Sequence, residues 1–176
     1  MNTTGSDEFM SGRDLRKIPL FSDFSLAELA QLRSAMEVER KPAGTVVIRE
    51  GQEGGRDFFV LVEGVVAVKQ GDMVVARRKP YSPVGELAFI TDRKRSATVV
   101  AETDCVLLRV DAEQVMKTVE RDPMVHWKLM KAVARLLCDR WAELDRRVRE
   151  LLAEAPEELR RRYTEARAEA MEAVQV

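Results

Sequence analysis

The sequence predicts an α+β fold, an antiparallel β-roll with a helix before it and a long helix after it. Three observations carry this reading. Between Lys41 and Arg109, short β-branched runs alternate with glycine-bearing turns. Ahead of them, Ser25 and Glu28 stand at capping-box spacing before Leu26, Leu29 and Leu32. Beyond Asp111, the apolar spacing changes to a helical period and keeps it.

Taken in order, positions 1–13 hold Gly, Ser, Asn and Asp without periodicity, which makes 1–14 a disordered tail. The Ser25 box predicts a helix reaching about Met36. Strands are expected at 45–48, 58–62, 65–68, 74–76, 97–100 and 105–108. Turns fall at Gly51, Gly54-Gly55, Gly64, Gly71-Asp72 and 102–104, the spacing of a small antiparallel barrel or roll. Asp111 with Gln114 caps a short helix, and Asp122-Pro123 supplies the cap and first-turn proline of a long one ending near Ala153. Pro156, Glu157 and Glu158 open a last, charged helix. The expected organisation is therefore a tail (1–14), a roll with flanking helices (15–122), a dimerisation and transduction helix (123–154) and a charged C-terminal helix or tail (155–176).

The long helix carries two heptad series, Trp127, Ala134, Trp141, Val148 and Met130, Leu137, Leu144, Leu151. A second apolar face, Leu129, Val133 and Leu136, exists only in its first half. The first half thus has two surfaces to bury and the second half one, as in a helix that leaves its own roll to pack against a second copy. A seam packed wholly within one chain is the alternative.

With 45% apolar and 34% charged residues the chain reads as a soluble globular protein. A net charge of −1 offers no electrostatic footprint for DNA. The arginines at 146, 147, 149 and 160–162 alternate with carboxylates, as on a solvated helix face. Cys105 and Cys138 lie outside any metal-ligand spacing and read as small buried side chains in a reducing cytoplasm, so no metal is expected. No run has signal-peptide or bilayer-spanning length, which places the chain in the cytoplasm and off the membrane. His126 has no carboxylate or cysteine constellation around it, and no P-loop or nucleophile–base set occurs, so no enzyme is expected.

The informative stretch is 85–99, Gly-Glu-Leu-Ala-Phe-Ile-Thr-Asp-Arg-Lys-Arg-Ser-Ala-Thr-Val. A cyclic phosphodiester needs a fixed cation, backbone N–H donors and an acceptor for its ribose hydroxyl, and this stretch has each. Gly85 lets the backbone come close to a ligand, and 86–89 can form a turn whose free amides face an anion. Arg95 supplies a guanidinium fork at the opening of a strand, with the Ser96 hydroxyl beside it.

Gly-Glu-Leu-Ala followed at this distance by Arg-Ser-Ala-Thr-Val resembles the phosphate cassette of the cyclic-nucleotide-binding domain family, the jelly-roll-like β-roll of the catabolite activator protein type. The likeness runs from about Leu15 to Leu151, through Pro42-Ala43-Gly44-Thr45, Arg49-Glu50-Gly51 and the run 58–64, in the family's order. It implies that Arg95 binds the phosphate with Ser96 and the amides of Leu87 and Ala88, and that Glu86, beside Gly85, accepts the ribose hydroxyl. It places Arg140 and Trp141 against the base, where the activator protein has small hydroxyl residues. The 51–64 loop is one residue longer than the family pattern. Ser96 is compatible with cyclic AMP and cyclic GMP, with cyclic AMP ranked first.

The expectation is a cyclic-nucleotide sensor acting through its C-terminal helix, homodimeric, with an unknown downstream protein partner. Positions 156–176 are too short and acidic for a helix-turn-helix domain. The alternative is a ligand-free scaffold of the same fold for dimerisation or partner binding.

Overall fold

The strongest local signal, the unbroken apolar run 58–62, becomes a strand buried on both of its faces. The computed structural model describes residues 12–91 and 93–173. It begins with a helical turn α1 (Gly12–Leu15), a short 3-10 turn (Pro19–Phe21) and α2 (Leu26–Arg33). The strands are β1 (Met36–Lys41), β2 (Val46–Ile48), β3 (Phe58–Glu63), β4 (Val66–Gln70), β5 (Met73–Arg78) and β6 (Pro83–Val84), then, after the short helix α3 (Glu86–Thr91), β7 (Thr98–Ala101) and β8 (Cys105–Val110). Three helices close the chain: α4 (Ala112–Arg121), α5 (Pro123–Ala153) and α6 (Glu157–Ala173). Positions 1–11 of the expected tail lie outside the described residues, and Gly12 to Asp14 belong to α1.

The strands form two antiparallel four-stranded sheets, ordered β1-β8-β3-β6 and β2-β7-β4-β5. Between them lies a core of Ile48, Phe59, Leu61, Val66, Val84, Val99, Ala101, Cys105 and Leu107. Strand alternation sends Phe58, Val60, Leu108 and Val110 to the opposite face, where the register pairs Phe58 with Val110 and Val60 with Leu108. All four are buried to 1% exposure or less, and the helices supply the matching apolar residues Leu29, Leu32, Val115, Val125, Leu129 and Val133. This double cover explains why β3 reads as a continuous apolar run instead of an alternating one.

Two expectations are corrected. The N-terminal helix stops at Arg33, and Met36 instead opens β1, which pairs along its whole length with β8 from Met36↔Val110 to Lys41↔Cys105. Four of its six residues are charged, so it carries almost no strand signature. Cys105 is buried as expected, but Cys138 is exposed.

The chain divides into two units, 1–133 and 134–176. In the first, the capping box at α2 is complete: the Ser25 hydroxyl accepts the Glu28 amide, and the Glu28 carboxylate accepts the Ser25 amide. Glu28 then reaches Lys128 on α5 at 2.8 Å. In the second, α6 turns back beside α5, pinned by Arg167 to Asp145 at 2.6 Å. Three arginines of this unit's part of α5 pair with neighbouring carboxylates, Arg146 with Glu143 and Glu150, Arg147 with Glu143 and Arg149 with Asp145. Of the heptad residues, Trp127, Trp141, Leu144 and Leu151 are more than half exposed, whereas Met130, Leu137 and Val148 are partly covered.

Candidate functional site

Glu86 and Arg95 are the buried charged residues among those described, with exposures of 3% and 7%. Burial of a charge is costly unless the site compensates it, so the local structure that holds these two defines the site.

The strand β6 delivers the chain to Gly85 at φ 81°, a left-handed conformation. A Cβ there would come within 2.6 Å of Ile48 Cδ1 and 2.8 Å of Arg95 Nη1, so the position tolerates only glycine without rearrangement. The backbone then enters α3, whose first-turn amides at Glu86, Leu87 and Ala88 have no acceptor within the helix. Glu86 and Ala88 face inward, while Leu87 is 41% exposed. Phe89 anchors the short helix edge-on to Phe58 of β3, ring centroids 5.2 Å apart.

Arg95 does not open a strand as expected; β7 begins at Thr98. Instead its backbone is clamped to the loop between β2 and β3, its amide donating to Gln52 O at 3.1 Å and its carbonyl accepting the Gly51 amide at 2.8 Å. Its guanidinium donates through Nη1 to Gly85 O at 2.8 Å and through Nη2 to Asp57 O at 2.6 Å. These two bonds fix the fork beside the start of α3 and use two of its five N–H groups, leaving donors for an oxyanion. Burial pushes the Arg95 pKa down, and the Asp57 and Glu86 carboxylates only partly offset this. An anion placed here would gain from a cation whose solvent has already been removed.

The structure thus brings Gly85, Glu86, Leu87, Ala88 and Arg95 into one cassette. Ser96 follows Arg95 but is exposed, its carbonyl accepting from Gln70 Nε2 at 3.5 Å. Arg140 and Trp141 lie on α5 within the second unit, Trp141 being 60% exposed. Beside the pair, and not including it, is an opening of about 420 Å³ lined by Glu53, Gly54, Gly55, Arg56, Arg93 and Lys94. Asp57 escaped the sequence reading. Its carbonyl holds Arg95, and no motif at that position announces it.

Among the described residues, no group of three or more His, Cys, Asp or Glu could hold a metal, and no helix is long and apolar enough to cross a membrane.

Residues 38–122 match the family model described as "Cyclic nucleotide-binding domain". A cAMP-dependent protein kinase regulatory subunit of Pyricularia oryzae is 37% identical over 106 residues, 59% of this chain and 27% of the regulatory subunit. The chain spans 22% to 38% of the length of the first curated relatives it matches. Among solved structures, the catabolite activator protein of Thermus thermophilus superposes with a TM-score of 0.60 at 26% identity, covering 72% of this chain and 62% of that one. A cyclic nucleotide-binding domain from Methylobacillus flagellatus shares the fold with a TM-score of 0.72 at 22% identity, covering 83% of this chain and 85% of that one. The glycine-led turn, the buried carboxylate and the clamped arginine all lie within residues 38–122, the part of the chain that matches the family model of the cyclic nucleotide-binding domain.

Proposed function

We propose that this chain is a sensor of a 3′,5′-cyclic nucleotide, without catalytic activity of its own, whose bound state is passed on through its C-terminal helices. The observation that carries the reading is the Arg95 guanidinium, 7% exposed, held by two carbonyls beside the first turn of α3 with Glu86 buried next to it. In this reading Arg95 and the amides of Leu87 and Ala88 bind the cyclic phosphate, with Ser96 adding a hydroxyl. Glu86, positioned by Gly85, accepts the ribose 2′-hydroxyl. Arg140 and Trp141 meet the base, and Trp141 supplies a stacking face. Cyclic AMP is favoured over cyclic GMP, in keeping with the regulatory subunits named for cyclic AMP among the relatives.

The chain is further read as a cytoplasmic homodimer built on the heptad residues of α5, with an unidentified protein downstream. Exposure of Trp127, Trp141, Leu144 and Leu151 in a single chain supports the dimer. DNA is not an expected partner, because the net charge is −1 and Arg146, Arg147 and Arg149 of α5 are paired with carboxylates.

Calorimetric titration with cyclic AMP and cyclic GMP tests the reading. Saturable binding is expected, weakened about 10- to 150-fold by Arg95→Ala, the equivalent of a charge-assisted hydrogen bond of about 1.5–3 kcal/mol. Flat titrations with both nucleotides would instead favour a ligand-free scaffold of the same fold.

A further inference from the structure

The opening beside the cassette has a lining unlike that of an ordinary ligand pocket. Its volume is about 420 Å³, with Glu53, Gly54, Gly55 and Arg56 on one wall and Arg93 and Lys94 on the other. Pockets of this size are usually lined by apolar and aromatic side chains around a few polar groups. Here no lining residue has an apolar side chain. Three cations stand against one carboxylate, a positive surplus opposite in sign to the chain's net charge of −1.

The two walls are tied together. The Gly51 amide donates to Arg95 O at 2.8 Å and the Arg95 amide to Gln52 O at 3.1 Å, so the residues just before one wall are stapled to the residue just after the other. Lys94 Nζ also meets Glu53 Oε1 at 2.7 Å, joining the walls a second time. Gly55 marks the inner end. A Cβ there would lie 3.4 Å from Arg95 Nη2, so the opening reaches the edge of the cassette without using its residues. At Gly54, φ is 78° and the place of a Cβ is open space. Neither glycine amide donates to a main-chain carbonyl among the described residues, which leaves backbone donors beside the cations.

Such a lining selects by charge and hydrogen bonding. A nucleobase or an acyl chain finds no apolar side chain to cover it, whereas an oligophosphate carries several oxyanions along one chain. Arg56 and Arg93 bring a planar guanidinium to each wall, and Lys94 adds a compact ammonium now shared with Glu53. We propose that this opening is a second anion site, separate from the Arg95 cassette, which binds the oligophosphate chain of a small molecule. Free tripolyphosphate and the tail of a nucleoside triphosphate share that chemistry. The assignment stands whether or not Arg95 binds a cyclic phosphate, since the lining contains none of Gly85, Glu86, Leu87, Ala88 and Arg95.

Calorimetric titration of the full chain with tripolyphosphate, in magnesium-free buffer of low salt, tests the site, and NMR of the Gly54, Gly55 and Lys94 amides locates the anion. Saturable binding that displaces these amides is expected, weaker for pyrophosphate and weakened further as salt is raised. Arg93→Gln should reduce the affinity about tenfold, as for a hydrogen bond to a charged group. Glu53→Gln should raise it severalfold, by releasing Lys94 and removing a like charge. Both side chains are exposed, so thermal unfolding should not change. Arg161→Gln, on α6, should leave the affinity within about threefold of native, as should Arg93→Gln the affinity for cyclic AMP. Adenosine triphosphate separates the sources: affinity equal to that of tripolyphosphate means the phosphate chain alone is read, and tighter binding with the Arg93 dependence kept means that a nucleotide tail is the occupant. A flat titration with tripolyphosphate would overturn the site. So would binding that Arg95→Ala abolishes and Arg93→Gln spares, or saturation by a polyglutamate peptide alone, which would make the opening a landing surface for an acidic protein. A chain that binds tripolyphosphate but neither cyclic AMP nor cyclic GMP would sink the nucleotide reading and leave this site standing.

Discussion

Glu86 and Gly85 are adjacent, yet they carry opposite kinds of constraint. Glu86 is a charge kept at 3% exposure, and the proposed reason is a ribose hydroxyl that donates to it. If so, removing the acceptor charge and removing the donor are the same loss counted once. Glu86→Gln should weaken cyclic AMP binding about tenfold, and the 2′-deoxy analogue should bind the native chain about tenfold more weakly, in line with a hydrogen bond to a charged group. Combining variant and analogue should add little, and full additivity in titration calorimetry would separate Glu86 from the ribose. Gly85, by contrast, is a backbone constraint. At φ 81°, with Ile48 and Arg95 crowding the place of a Cβ, Gly85→Ala should cost about 1–3 kcal/mol in urea unfolding as well as reducing binding. The two residues are therefore distinguishable by measurement: Glu86→Gln should weaken binding with a smaller effect on unfolding.

Among the elements, α2 and α5 are joined by a pair whose pH behaviour follows from its geometry. The hydrogen bond from Lys128, and after it the Ser25 amide, hold the Glu28 carboxyl below the ordinary carboxylate range. A carboxyl with a lowered folded pKa contributes stability above that range and loses it as the pH falls through the folded value. Stability should therefore decline in acid, and Lys128→Met should make the decline shallower. Urea midpoints measured from neutral pH downward would read this, and identical slopes would mean the contact contributes nothing. The same elements explain what the sequence discloses. The Ser25 box, the Asp111 cap and the run of β3 are legible because each is decided within a few residues or by a buried face. Likewise the site's core, Gly85 through Ala88 and Arg95, lies within one short segment. What hides is decided at long range. β1 is mostly charged and exists because β8 offers it a ladder, and Asp57 matters because Arg95, Arg109 and Ala112 converge on it from 38, 52 and 55 positions away.

At the scale of the whole molecule, two proposed roles compete for Trp141, since it belongs to the heptad series and is also the residue assigned to the base. Its neighbours on the helix separate the two. Leu144 is 56% exposed and belongs to the heptad series alone, with no proposed part in nucleotide contact. A charge at such a position is tolerated in a monomer, where it stays in water, but is costly at the centre of a helix pair, where it would be desolvated without a partner. Leu144→Asp is therefore expected to convert a dimer to a monomer in light scattering while the thermal unfolding of the β-roll is retained. Trp141→Ala should instead weaken nucleotide binding by about 1–3 kcal/mol if its ring stacks on the base. If the monomer produced by Leu144→Asp still binds cyclic AMP with native affinity, recognition is completed within one chain and dimerisation serves only output. A Leu144→Asp chain with an unchanged mass would place the exposed heptad residues outside any homodimer.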